Sequence, residues 1–470
     1  MALEYVYPRV AFDESDVGPR PTQGVSLSTI GLIGTFSKGP LNQVTEVGSL
    51  DELVNVFGGY KAELTGYKSA AAALSQGAND LKIVRIGGNT VMPASKMLAD
   101  EQAEPQDSVE IKAKTPGTWG NDIQVAVTAG TTNGTFKLIV IYAGRSEEFD
   151  NLTLDNVASI KSAYITASPV AGAAQIPKAA GASYLTNGDD GADAADEDYI
   201  GTIDDAGKRT GLKLLETVRV SIVICAQQSS TMLQNALITH CANVPVEKGL
   251  RMAVLNTPKA TQVNDAAALT ATLDSMRAIL AYPWLEHNDM PGEYIAPDGF
   301  YAGILSVIDS NKSPSNKQVL NVLSIELDFA PIDLKKLTNA RISPIALEEN
   351  RGYRIKNGVT LSSDTAWNQT NIRRIFDEIE LEVFDATQWA KSENNTPELG
   401  NALATQIDDL LETKKLKEKI YDYKPTISDD TNNPPEVIQA RIRNTKTRVR
   451  PTYAADFIDH NIQRLVGNEQ

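Results

Sequence analysis

The sequence predicts an α/β core, a mixed sheet flanked by helices, with an inserted antiparallel β domain, a C-terminal α+β subdomain and extended N- and C-terminal arms. Three observations carry this. Strand and helix patterns alternate over residues 25–89 and resume over 186–344. Between them, residues 90–185 switch to a period of two. The ends, residues 1–24 and 436–470, hold too little apolar sequence to fold alone. A chain of 470 residues leaves room for about three domains.

The N-terminal arm holds Pro8, Gly18, Pro19, Pro21 and Gly24 and shows no helical period. Its strand formers are Tyr5, Val6, Tyr7, Val10 and Phe12. Fully extended at ~3.3 Å per residue, such an arm reaches about 80 Å. A small-residue strand follows over Val25 to Thr35 and ends in the turn Ser37-Lys38-Gly39-Pro40. Ser49 caps a helix with Asp51 and Glu52 in its first turn, and Gly58-Gly59 stops it after Phe57. An alanine-rich helix over Tyr67 to Gln76 and a strand over Leu81 to Ile86 complete the first half of the core.

The insertion shows its period in Val109, Ile111 and Ala113, and again in Ile123, Val125 and Val127. Asn133-Gly134 before Phe136 to Tyr142 marks a hairpin. Sequence rich in Ala, Ser and Gly leads out of it over Ala167 to Ala182. The core then resumes with a strand over Val218 to Ala226 and a helix over Ser230 to Cys241. A strand over Met252 to Leu255 and a helix over Asp265 to Leu280 come next. Residues 345–435 form another block. Ile372, Ile375, Phe376 and Ile379 make one helical stripe, and Leu399, Leu403, Ile407, Leu410 and Leu411 a second. The second helix ends in Lys414, Lys415, Lys417 and Lys419. In the C-terminal arm, Ala440 to Arg443 and Thr447 to Arg450 alternate apolar or small residues with basic ones and read as short strands.

Composition excludes several function classes. A hydrophobic content of 42% argues against general disorder. No apolar run reaches the roughly 18 residues of a membrane helix. Met1 to Ala11 lacks a basic start followed by an apolar stretch, so no secretory signal is read there and assembly in a cytoplasm is expected. The net charge of −16 repels nucleic acid and anionic membranes on average. Two cysteines, Cys225 and Cys241, make no disulfide framework and read as small buried hydrophobes.

The sequence carries no recognised catalytic signature, and no cofactor, metal or catalytic residue is expected. Of three histidines, His240, His287 and His460, no two stand at metal-ligand spacing. The chain has no nucleophile elbow and no phosphate-binding Gly-Lys-Ser/Thr loop. His240 and Cys241, as helical neighbours, point apart. The acid-rich stretch Asp189 to Asp205 lacks the spacing of a calcium loop and reads as a solvated turn. The basic residues of the C-terminal arm, Arg441, Arg443, Lys446, Arg448 and Arg450, admit three readings. They are phosphate binding, an edge strand kept soluble by charge, or pairing with an acidic surface. Glu4, Asp13, Glu14 and Asp16 of the head offer such a surface.

The order of motifs resembles the contractile tail sheath family of phages, tailocins and related injection systems. Ile30-Gly31-Leu32-Ile33-Gly34-Thr35, Lys38-Gly39-Pro40, Phe57-Gly58-Gly59-Tyr60 and Val84-Arg85-Ile86 are similar to the family's opening. Pro116-Gly117-Thr118-Trp119-Gly120-Asn121 resembles the signature of its inserted domain, and Leu185-Thr186-Asn187-Gly188 with Asp190-Gly191 its return. Ala281-Tyr282-Pro283-Trp284-Leu285, Ala296-Pro297-Asp298-Gly299, Asn371-Ile372-Arg373-Arg374-Ile375-Phe376 and Asn394-Asn395-Thr396 follow in family order. The chain departs from the pattern at Ser313-Pro314-Ser315-Asn316 and at Asn357-Gly358-Val359-Thr360.

The resemblance implies a structural subunit and no enzyme. Its partners would be copies of itself in stacked hexameric rings, an inner tube, and baseplate and tail terminator proteins, with no direct nucleic acid and no membrane. Arms adding strands to neighbours would involve Tyr5, Val6, Tyr7, Val10 and Phe12 at one end. At the other end they would involve Arg441, Arg443, Arg448, Val449, Arg450 and Tyr453. Lys414, Lys415, Lys417 and Lys419 are the candidates for inner-tube contact. The rival classes are a hydrolase with an unrecognised site and a surface-layer polymer, which needs an export signal.

Overall fold

The computed structural model describes residues 25–464. The head residues Tyr5, Val6, Tyr7, Val10 and Phe12 lie outside the described residues. The described chain gathers into two compact units: residues 26–381 with 451–464, and residues 382–450.

The larger unit is built on an eight-stranded sheet. Its strands are β1 (Ile30–Thr35), β2 (Val44–Val47), β3 (Leu81–Ile86), β4 (Ile222–Cys225), β5 (Met252–Asn256), β6 (Ala278–Tyr282), β7 (Ser343–Glu348) and β8 (Gly352–Ile355). Their order is β8-β7-β6-β5-β4-β1-β3-β2. The strands from β7 to β3 in that order run parallel, and antiparallel β8 and β2 close the edges. Both faces are covered, as a parallel sheet requires. Successive residues of the central strands therefore enter opposite cores. Ile222 and Ile224 join one, with Phe57 of helix α1 (Leu50–Phe57), Ala70 of α2 (Gly66–Ser75) and Phe300 further along the chain. Val223 and Cys225 join the other, with Leu233 and Leu237 of α3 (Thr231–Asn243).

The helix boundaries follow local chemistry. Ser49 Oγ accepts from Glu52 N at 3.2 Å, and Glu52 Oε2 accepts from Gly48 N at 2.9 Å, so both side chains satisfy amides at the start of α1. Ser230 caps α3 in the same way, accepting from Leu233 N at 3.2 Å. One sequence expectation fails here. The helix read over Asp265 to Leu280 stops at Leu269, and Ala278–Tyr282 is a central strand. Every residue of that strand is buried, so it shows no alternation to separate strand from helix.

Between β3 and β4 the chain builds two antiparallel sheets around a third core. One joins Ser95–Ala99, Asp107–Ala113 and Ile165–Pro169; the other joins Ala180–Tyr184, Gln124–Ala129, Phe136–Tyr142 and Arg145–Leu152. The alternating Val109, Ile111, Val125 and Val127 all enter that core. The expected hairpin at Asn133-Gly134 joins Gln124–Ala129 to Phe136–Tyr142. A second tight hairpin turns at Ala143-Gly144, both with positive φ (48° and 75°), as a two-residue primed turn demands.

In the smaller unit, helix α6 (Pro397–Leu416) buries Leu403, Ile407, Leu410 and Leu411. It is capped by Thr396, whose Oγ1 accepts from Leu399 N at 3.3 Å. The strands β9 (Ile420–Ile427) and β10 (Lys446–Pro451) form a two-stranded ribbon. Helix α5 (Thr370–Ala386) starts in the larger unit and ends in the smaller.

Candidate functional site

In a parallel sheet, ligands are held outside the carboxyl ends of strands where the order reverses. Here that point lies between β1 and β4, and protein groups fill it. Helix α4 (Asp298–Val307) places Asp298 there, fully buried. Asp298 Oδ1 accepts from Ser69 Oγ (2.7 Å) and Gly299 N (2.6 Å). Its Oδ2 accepts from Gln227 N and Asn256 Nδ2, both at 2.9 Å. Burial raises the Asp298 pKa from the ordinary carboxylate value, and the four donors oppose that rise. The carboxylate has no lone pair left for a substrate; it ties α2, α4, β5 and the end of β4 together.

A second buried charge cluster lies on α5. Asp377 accepts from Arg277 (3.0 and 3.1 Å) and from Arg373 (2.8 and 2.9 Å), and Arg373 also reaches Glu380 at 2.7 Å. Arg374 donates to the carbonyls of Leu305 (2.7 Å) and Leu27 (3.3 Å), and burial lowers its pKa to about 10. The paired arginines of the Asn371-to-Phe376 motif thus hold a helix to its surroundings.

The residues that suggested chemistry are likewise packed away. His240 Nε2 sits 2.7 Å from Arg251 Nη1, so it accepts a hydrogen bond and the ring is neutral. Burial, then the Arg251 charge, lowers the His240 pKa to about 3. Cys225 and Cys241 are buried free thiols, both pushed up by desolvation. Among the described residues, no cluster of three or more His, Cys, Asp or Glu is arranged to hold a metal. The acid-rich stretch is not simply a solvated turn, because Asp190 is buried and paired with Lys61 at 2.6 Å.

The chain ends look different. Lys446, Arg448 and Arg450 alternate along β10 and are exposed, with Val449 half-buried between them. The Arg450 guanidinium stands 4.2 Å from the ring centre of the exposed Tyr421 on β9. The ribbon is thus basic and aromatic on one face. With two strands among the described residues, it leaves an outer backbone edge on β10, whereas on β9 Thr426 N donates to Asp408 Oδ1 of α6 at 2.9 Å. The strand expected over Ala440 to Arg443 is absent. A short helix, Pro435–Gln439, precedes a turn with Arg441 at φ 62°. Arg443 Nε donates to Asn395 Oδ1 at 2.8 Å beside the α6 cap, so this basic residue serves its own chain.

Beyond β10, residues 452–464 run without regular structure. Tyr453, Phe457 and Ile462 are 66%, 90% and 92% exposed. Of the four lysines proposed for inner-tube contact, Lys414 must be corrected. It is only 4% exposed and bonds Glu382 at 2.7 Å, because it lies on the buried stripe of α6. Lys415 is exposed and paired with Asp422 at 2.9 Å; Lys417 is exposed at the helix end and Lys419 is half-buried.

Family models match two stretches: the phage tail sheath protein central domain over residues 192–361, and the tail sheath protein Gp18 domain III N-terminal region over residues 28–86. The tail sheath protein of Burkholderia phage BcepMu is 25% identical over 402 residues, covering 80% of this chain and 78% of the relative. The crystal structure of a sheath tail protein from Listeria innocua superposes with a TM-score of 0.67 at 14% identity. It covers 92% of this chain and 96% of that one. The sheath of an extracellular contractile injection system (PVC), in its contracted state, superposes with a TM-score of 0.61 at 14% identity over 99% of both chains. These likenesses define a structural protein of contractile tails, not an enzyme. Two stretches of the chain thus carry tail sheath family domains, and the chain is similar to phage tail sheath proteins over most of its length.

Proposed function

We propose that this chain polymerises through its two ends into a sheath of stacked hexameric rings around an inner tube, and that the sheath contracts to drive the tube through a cell envelope. The observation that carries this reading is the exposed end of the chain. Phe457 and Ile462 keep about nine-tenths of their surface in water, and burying such a side chain is worth roughly 1.5–3 kcal/mol. A second copy is the partner a homopolymer supplies. The basic face of the β9–β10 ribbon and the outer edge of β10 are the complementary feature, open to strands added by other copies. The acidic residues of the head, Glu4, Asp13, Glu14 and Asp16, suit that face by charge.

In this reading, residues 25–89 with 186–344 form the core, 90–185 the outer insertion, 345–435 the C-terminal subdomain, and 1–24 and 436–470 the arms. Connections through arms keep copies linked while their bodies rotate, and contraction is driven by better contacts available in the second arrangement. Lys415, Lys417 and Lys419 remain candidates for contact with the inner tube. Baseplate and terminator proteins would engage the two ends of the stack. Negative-stain imaging of the expressed chain tests the proposal: striated hollow tubes support it, and a monodisperse monomer at high concentration counts against it.

A further inference from the structure

The inserted sheets leave the main sheet after Ile86, and the two crossing segments are bound to each other. Met92 and Asp189 exchange backbone hydrogen bonds at 3.2 and 2.9 Å, and Ser95 and Thr186 do so at 2.8 and 3.1 Å. Gly88 N donates to Gly191 O at 3.0 Å. The neck is therefore a paired ribbon and not two independent linkers.

A third segment, residues 115–119, returns from the insertion to meet the core. Gly39 N donates to Thr115 Oγ1 at 3.3 Å. Arg85 Nη1 donates to Gly39 O on one side of the junction and to Pro116 O on the other, each at 2.8 Å. The Lys38 ammonium stands 5.0 Å from the Trp119 ring centre. Gly117, at φ 129°, approaches so closely that an added Cβ would lie 2.1 Å from Ser37 O. At the middle sits Asp190. It accepts from Lys61 Nζ at 2.6 Å, from Thr118 N at 2.7 Å and from Thr118 Oγ1 at 3.1 Å. Arg85, fully buried, has its pKa lowered to about 10 by desolvation, and the Asp190 charge acts against that fall.

We propose that Asp190 is the pin of a rigid joint: by holding Lys61 and Thr118 together, it locks the inserted sheets to the main sheet so that both turn as one body. The Pro116-to-Asn121 and Asp190-Gly191 motifs then share one physical purpose. Any displacement imposed on the core reaches the insertion undiminished. The joint is a property of the single chain, so it can fail without the sheath reading failing, and the reverse.

Cys225 and Cys241 are buried, so introduced thiols can be labelled selectively. Spin labels at Asn133→Cys on the insertion and Ala242→Cys on the core, both exposed, report one intramolecular distance. The labelled chain is diluted with unlabelled chain so that only that distance is read. The joint gives one narrow distance distribution, and Asp190→Ala broadens it and raises amide exchange at Thr118 about tenfold or more. Should Asp190→Ala fail to fold, Lys61→Met gives the same readout with the carboxylate retained. A broad distribution in the parent chain, or an unchanged narrow one with unchanged exchange in the folded variant, overturns the proposal.

Discussion

At Asp298, in the middle of the larger unit, both carboxylate oxygens are fully occupied by donors of the same chain. At Phe457, near the end, the ring meets water over nearly all its surface. The same division runs through the charged residues. Arg277, Arg373 and Asp377 satisfy one another in the interior, while Arg448 on β10 is exposed. The contrast separates two tasks. Groups that are saturated inside one chain can contribute rigidity but no recognition. Groups left with unused apolar surface or unpaired backbone are those a second molecule can satisfy.

The comparison can be broken at either side. The largest effect is expected at the ribbon. Arg448→Glu with Arg450→Glu should abolish polymer seen by electron microscopy. The loss of the Arg450–Tyr421 contact should cost only about 1 kcal/mol in a denaturant melt. Normal polymer at low salt would remove charge from the account. Next comes the interior. Asp298→Ala strands four donors in a dry site and should lower unfolding stability by about 4 kcal/mol in urea titration.

The pH dependence is expected to be smaller and more gradual. His240 titrates near its ordinary value when unfolded and at about 3 when folded. The unfolded chain therefore binds the extra proton between those values, and the stability from this residue, complete above pH 6.5, is lost as pH falls toward 3. His240→Gln, which keeps an acceptor for Arg251, should flatten the acid limb of stability measured between pH 6 and 4. The smallest change is expected at Lys417→Glu, an exposed helix end, within about 0.5 kcal/mol of the parent in the same melt.

Legibility in the sequence divides along the same line. Val109 with Ile111 and Val125 with Val127 mark strands because one face of each is buried and the other is not; Ile372, Ile375 and Ile379 mark a helix by spacing alone, since Arg373, Arg374 and Asp377 between them are buried as well. The β6 strand, Ala278–Tyr282, is buried on both faces and shows no alternation, so its first three residues are indistinguishable from the end of the helix expected over Asp265 to Leu280. The Asp298 cluster was visible only as a motif. Its donors Ser69, Gln227 and Asn256 are brought together by the sheet, Ser69 from 229 positions away. Nothing in the run of aspartates marks Asp190 as the one that is buried. Lys414 and Arg443 read as surface cations because charge is local in sequence, whereas their partners Glu382 and Asn395 are set by packing.

Deleting an end while watching the body tests the central claim most directly. The chain lacking residues 1–20, and separately the chain lacking 454–470, should melt as the full chain does yet form no tubes by electron microscopy where the full chain forms them. Sheath-like tubes from either truncated chain, or loss of the cooperative melt, would contradict the division between a self-sufficient body and linking ends.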